Sequence, residues 1–91
     1  MAITIVYTIK IDLNSTDVTA ATLAVNNTIT NYINSLWVGA DVIHSEVNRL
    51  IKGVSGILDV EVLTLNGSPS NVVTTASQVA RVSTITPTVT S

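Results

Sequence analysis

The chain has 91 residues, 46% hydrophobic and 11% charged, with a net charge of −2. That length holds one modest core, and the composition is the reverse of a disordered chain's, so a single folded domain over residues 1–91 is expected. The four basic residues, Lys10, Arg49, Lys52 and Arg81, are scattered and give no basic footprint for nucleic acid or anionic lipid, and the absence of cysteine removes disulfides, thiolate metal sites and cysteine nucleophiles.

From Ile3 to Leu13 apolar and polar residues alternate: Ile3, Ile5, Tyr7, Ile9, Ile11 and Leu13 face one way, Thr4, Val6, Thr8, Lys10 and Asp12 the other. Such alternation predicts a half-buried strand. No apolar run reaches the length of a membrane span, and this alternating start differs from the continuous apolar core of a signal peptide, so synthesis in the cytoplasm is expected. Asn14, Ser15 or Thr16 is then the expected N-cap of a helix, with Asp17 in its first turn. Val18, Ala21, Val25, Ile29, Ile33 and Leu36 recur at spacings of three and four and predict a helix from about Asp17 to Trp37. Its other face is Thr and Asn, mediocre helix formers, so packing must hold it.

Gly39 stands where a left-handed helix terminus is expected, and Asp41-Val42-Ile43 reads as extended. His44 or Ser45 is the expected cap of a second helix, with Val47, Leu50, Ile51 and Val54 as its buried stripe and Gly53 and Gly56 at its end. A strand follows from Ile57 to Leu65, with Asp59 and Glu61 sharing a face with Ile57 and Leu63, and Leu58, Val60 and Val62 on the other. "NGSPSN" is a turn, residues 72–81 are ambiguous, and Val82 to Val89 reads as a Thr-rich strand. Because Pro87 cannot donate to a ladder, that strand ends there or lies at a sheet edge. The order strand, helix, helix, strand, strand predicts an α+β two-layer sandwich, a small three-stranded sheet with two helices on one face.

Three residue groups raise the question of chemistry. The glycines of "GVSG" resemble a phosphate or nucleic-acid clamp, but the segment joins a helix to a strand and holds no Lys or Arg, so positive φ at a chain corner is the expected role. Asp41, His44 and Glu46 contain a single histidine and no second soft ligand, a weak metal set. Asp12, Asp59 and Glu61 form a carboxylate pair only if the first two strands are neighbours, and no aromatic platform for a sugar accompanies them. No nucleophile elbow, P-loop or zincin helix is present. No catalytic residue, cofactor, metal or small-molecule substrate is therefore expected. The neutral Thr-, Asn- and Ser-rich surface is poorly protected by charge against association. Trp37 reads equally as an interface anchor or as a staple of the first helix's end to the sheet, and with three residues of the last strand, Thr84, Thr86 and Val89, it makes up the interface candidates.

The stretches "YTIKIDLN", "INSLWVGADV", "HSEVNRLIKGVSGILDVEVLTLNG" and "SQVARVSTITPTV", in that order, resemble the C-terminal domain of the baseplate J-like proteins of contractile-tailed phages and related particles. The signposts are Leu36 with Gly39, Gly56-Ile57 with Asp59-Val60, and Val79-Ala80-Arg81 before the last strand. Family members usually carry proline and valine where this chain has Ser55 and Ile57, and they are several times longer. The resemblance implies a structural, non-catalytic role in the wedge of a tail baseplate within the virion. The implied partners are other baseplate proteins and copies of the chain itself, with no nucleic acid or membrane. The competing expectation is a stand-alone adaptor or oligomerisation module unconnected with a virion.

Overall fold

The computed structural model describes residues 1–12 and 17–90. In chain order it contains β1 (Ala2–Ile11), α1 (Val18–Asn34), α2 (His44–Lys52), β2 (Ile57–Leu65) and β3 (Arg81–Thr90). The sheet has the order β2-β1-β3, with β2 antiparallel and β3 parallel to β1, and the two helices cover one face in the expected α+β arrangement.

The alternation of β1 decides which face that is. Ile3, Ile5, Tyr7, Ile9 and Ile11 are all fully buried, whereas Thr4 and Lys10 are exposed on the other side. Leu13 and the expected caps Asn14, Ser15 and Thr16 lie outside the described residues. The N-cap of α1 is Asp17, one residue before the helix rather than in its first turn, and its Oδ1 accepts from the Thr19 and Ala20 N–H groups at 2.8 and 3.2 Å. The helix stops at Asn34, three residues short of the expected Trp37, because Ser35 and Leu36 turn their N–H groups back to Tyr32 and Ile33. Eight Thr and Asn residues in α1 are each about 0.5 kcal/mol less favourable than Ala. Burial of Val25, Ile29 and Ile33, about 1.5–3 kcal/mol apiece, outweighs that.

For α2 the cap differs from expectation. Ile43 is the N-cap and makes no side-chain cap bond, and His44 is the first helical residue. Its N–H is satisfied by Asn71 Oδ1 at 2.8 Å, a side chain from the β2–β3 connection. Gly53 ends α2 in a right-handed conformation (φ −76°), so only Gly56 (φ +91°) of the "GVSG" pair takes the expected positive φ.

Along β2 the expected faces are wrong in one respect. Thr8 pairs with Val62 and Ile9 with Val60, which leaves Glu61 bulged out; Lys10 pairs with Asp59 and Ile11 with Ile57, which leaves Leu58 unpaired. Each bulge shifts the two-residue phase by one. Val60 therefore joins Ile57, Leu63 and Leu65 against the core, while Asp59 and Glu61 point to solvent. In β3 the same device operates at Ser83, which is skipped between Ile3–Val82 and Thr4–Thr84. Pro87 sits within β3, opposite Tyr7, and β3 is an edge strand. The previously ambiguous residues 72–80 are a connection, pinned by the Val42–Val72 bridge, that carries the chain across the end of the sheet.

Candidate functional site

A three-stranded sheet has two outer edges, and this chain treats them differently. The outer edge of β2 is closed from within. Leu65 N–H donates to Ser68 O at 2.8 Å, Ser68 N–H returns to Leu65 O at 3.2 Å, and His44 Nε2 lies 2.7 Å from Leu63 O. Since a carbonyl only accepts, the imidazole must carry a proton on Nε2. The bulges at Glu61 and Leu58 deform the rest of that edge. An open groove of about 460 Å³ remains between His44 and Asn48 of α2 and residues 60–64 of β2.

The outer edge of β3 is open over most of its length. Asn34 Oδ1 accepts from Val82 N–H at 3.0 Å at its start. Among the described residues, no strand pairs with its outer side beyond Ser83, and Pro87, which has no N–H, is its main protection. Thr84, Thr86 and Thr88 are exposed there, on the face away from the helices. They continue across β1 and β2 in register as rows Thr86–Val6–Thr64 and Thr88–Thr8–Val62. Val89 turns the other way and is half-buried against the core.

Trp37 is 85% exposed and Val38 59% exposed on the α1–α2 connection. They are held beside the head of β3, not loosely displayed. Arg81 Nη1 donates to Leu36 O at 3.2 Å, Ala40 N–H to Trp37 O at 3.0 Å, and Gly39 N–H to Gln78 O at 2.8 Å. Gly39 makes this turn at φ +80°. A large aromatic side chain fixed at its base and bare at its tip is what a hot-spot anchor requires.

Charge follows the same division. No residue of α1 is charged, and β3 carries none after Arg81. The opposite side holds the Glu46–Arg49 pair along α2 and the Lys52–Asp59 pair at 3.5 Å between α2 and β2. The hydrogen bond from Arg49 holds the Glu46 carboxyl below its ordinary range. Beyond Arg81 the α1–β3 wall is thus neutral, apolar in places and bounded by an edge strand.

The carboxylates and the histidine weighed for chemistry are separately engaged. Asp41 Oδ1 accepts from Thr74 N–H at 3.0 Å, His44 faces β2, and Glu46 is paired to Arg49. Among the described residues no group of three His, Asp or Glu side chains could hold a metal ion. Asp59 is in its ion pair, and Glu61 accepts from the Thr90 hydroxyl across β1. Sequence reasoning missed Asn34, Asn71 and the edge-sealing role of His44, because each acts on a backbone group distant in the chain, and it read Ser68 only as part of a turn, although its main chain bonds the outer side of Leu65. No curated protein matches the chain. Residues 4–88, which include all five elements almost entirely, match the family model described as Baseplate J-like protein C-terminal domain, and the chain belongs to that family.

Proposed function

We propose that the chain is a structural component of the baseplate wedge of a phage tail or related contractile particle, and that it acts through protein–protein contacts made by its α1–β3 side. Family membership supports a structural baseplate role and association with other phage proteins, and the family is not a known enzyme family. The observation that carries the finer reading is the asymmetry of the sheet edges: β2 is sealed by His44 and Ser68, while β3 beyond Ser83 is open beside a neutral surface and the exposed Trp37. An open edge offers main-chain hydrogen bonds to an added strand, and alternate Thr side chains give it a β-branched face to pack on. The same surface offers no acid–base pair, so the contact itself is the function.

Structure determination of assembled tails, together with incorporation of a Thr84→Arg/Thr86→Arg variant, tests this reading. The account expects the wild-type domain in the baseplate with β3 covered, and a folded variant that fails to enter the particle. Normal incorporation of the variant, or a baseplate in which β3 faces solvent, would overturn it.

A further inference from the structure

The turn that follows β2 carries the pair Asn66-Gly67, whose chemistry its role as a corner does not use. Val6 pairs with Thr64 and Thr8 with Val62, so the next rung of that register sets Thr4 opposite Asn66. Asn66 N–H donates to Thr4 O at 2.8 Å, but the return bond goes to the side chain: Thr4 N–H donates to Asn66 Oδ1, also at 2.8 Å. The main-chain carbonyl that would complete the rung is turned away. Asn66 is the one non-glycine residue at positive φ (+53°) among the described residues, and Gly67 follows at +81°. Leu65 and Ser68 bond each other across the pair, which makes it a two-residue type I′ turn. Both turn residues are exposed, and a Cβ at Gly67 would meet nothing within 4 Å.

We propose that Asn66 is a site of spontaneous covalent modification, deamidation through a cyclic imide, which the closed turn holds back and which proceeds when the turn leaves Thr4. The Gly67 nitrogen attacks Cγ of Asn66 and loses its proton, the Cγ–Nδ2 bond breaks, and Nδ2 departs with that proton as ammonia. Water then opens the imide ring. Adding at Cγ, it gives an aspartyl residue; adding at the main-chain carbonyl carbon, it leaves the chain running through Cγ as an isoaspartyl residue. No electrons are gained or lost, and water is the only co-reactant. Gly67 suits the attack, because it has no side chain to obstruct its nitrogen and its N–H donates to no acceptor among the described residues.

Torsion holds the reaction back. Ring closure needs the Gly67 nitrogen eclipsed with Cβ about the Cα–C bond of Asn66, and within about 3–3.5 Å of the carbon it attacks. The first central residue of a type I′ turn, the mirror image of type I, has ψ of about +30°, which places that nitrogen almost opposite Cβ. Thr4 holds the side chain through Oδ1 and the main chain through N–H, so neither half of Asn66 rotates alone. Reaction therefore requires the two bonds to Thr4 and the two between Leu65 and Ser68 to open together. The isoaspartyl product has a main chain one carbon longer and a new carboxylate. The two-residue turn then no longer closes, and the outer side of Leu65 loses its Ser68 partner.

Tryptic cleavage after Lys52 and Arg81 releases residues 53–81 as one peptide, which holds Asn66 and, before the bulkier Val72, Asn71 as an internal reference. Chromatography with tandem mass spectrometry follows its aspartyl and isoaspartyl forms while wild type is incubated in mildly alkaline buffer, in urea below the unfolding transition, and in urea above it. In the unfolded chain Asn66 should convert mainly to isoaspartate while Asn71 stays intact. The folded protein should convert at Asn66 at least roughly tenfold more slowly, the factor supplied by a closed turn whose net stability is only that of one or two hydrogen bonds. Urea below the transition should change the folded rate little, because opening the turn exposes little surface. Thr4→Pro, which removes the N–H that holds Oδ1, should bring the folded rate toward the unfolded one. Circular dichroism reports whether that variant folds; if it does not, the urea series on wild type decides alone. Equal rates in folded and unfolded wild type, a folded rate that tracks global unfolding, or aspartate without isoaspartate would each overturn the proposal. Amide exchange at Leu65 reads the consequence. It should be faster in the isolated isoaspartyl protein than in Asn66→Asp, whose carboxylate carries the same charge on an unlengthened chain and still accepts from Thr4 N–H. Equal exchange in the two would show that the turn closes over the modified residue, against the proposal.

Discussion

Tyr7 is the one aromatic side chain at the centre of the core, and its replacement by Phe gives a prediction with a sign change. The ring is fully buried, and its hydroxyl donates to Asn26 Oδ1 at 2.7 Å. Burial pushes its pKa up from its ordinary value near 10 to about 12. The folded protein therefore holds this proton more tightly than the unfolded chain does. The stability that the neutral hydroxyl represents is fully present below about pH 10 and is lost as pH rises through about 12. A gap of two units corresponds to about 2.7 kcal/mol across that window, of which about 1.4 kcal/mol is gone by pH 11. At pH 8 Tyr7→Phe should be the less stable protein by about 1 kcal/mol, the net value of the lost hydrogen bond. The two stability curves should then converge and cross near pH 11, with the Phe variant more stable above it. Urea unfolding followed by far-UV circular dichroism across this range measures the difference, and lysines and Tyr32, common to both proteins, cancel from it. Parallel curves from pH 8 to 11.5 would refute the reasoning, because they would mean that Tyr7 ionises no differently in the folded state.

Three substitutions test the local account by thermal or urea denaturation. Gly39→Ala should cost about 1–2 kcal/mol, since φ is +80° and a Cβ would find only ordinary contact at 3.5 Å from Ala76. Gly53→Ala, at a right-handed helix end with a similar 3.5 Å contact, should be neutral or stabilising by up to about 1 kcal/mol. Asn71→Ala should destabilise by about 1 kcal/mol through the exposed start of α2, and faster amide exchange at His44 is the localised sign of it.

The parts of this fold legible in the sequence are those whose periodicity runs uninterrupted. β1 alternates without a break, and the Ala21, Val25, Ile29 and Ile33 stripe keeps one helical phase, so both elements and their buried faces were readable. β2 was readable as a strand but not as a set of faces, because the bulges at Glu61 and Leu58 reset the alternation without any glycine to announce it. The cap of α2 was misassigned to His44 or Ser45 since the group that satisfies the helix start comes from Asn71, 27 residues away. Pro87 correctly pointed to an edge strand, yet nothing in the local pattern of β3 states that it runs parallel to β1 or that the β2 edge is the sealed one. That distinction, on which the proposed assembly surface rests, exists only once His44, Ser68 and the sheet order are seen together.

The central claim is that the α1–β3 side, and not the α2–β2 side, carries the assembly contact. Photo-cross-linking in assembled tails addresses it most directly, with a photoreactive residue placed at Thr86 in one variant and at Ser45, exposed on α2, in another. The account predicts efficient cross-links from Thr86 to a second copy or another baseplate protein, and little from Ser45. Cross-links from Ser45 with none from Thr86 would contradict it.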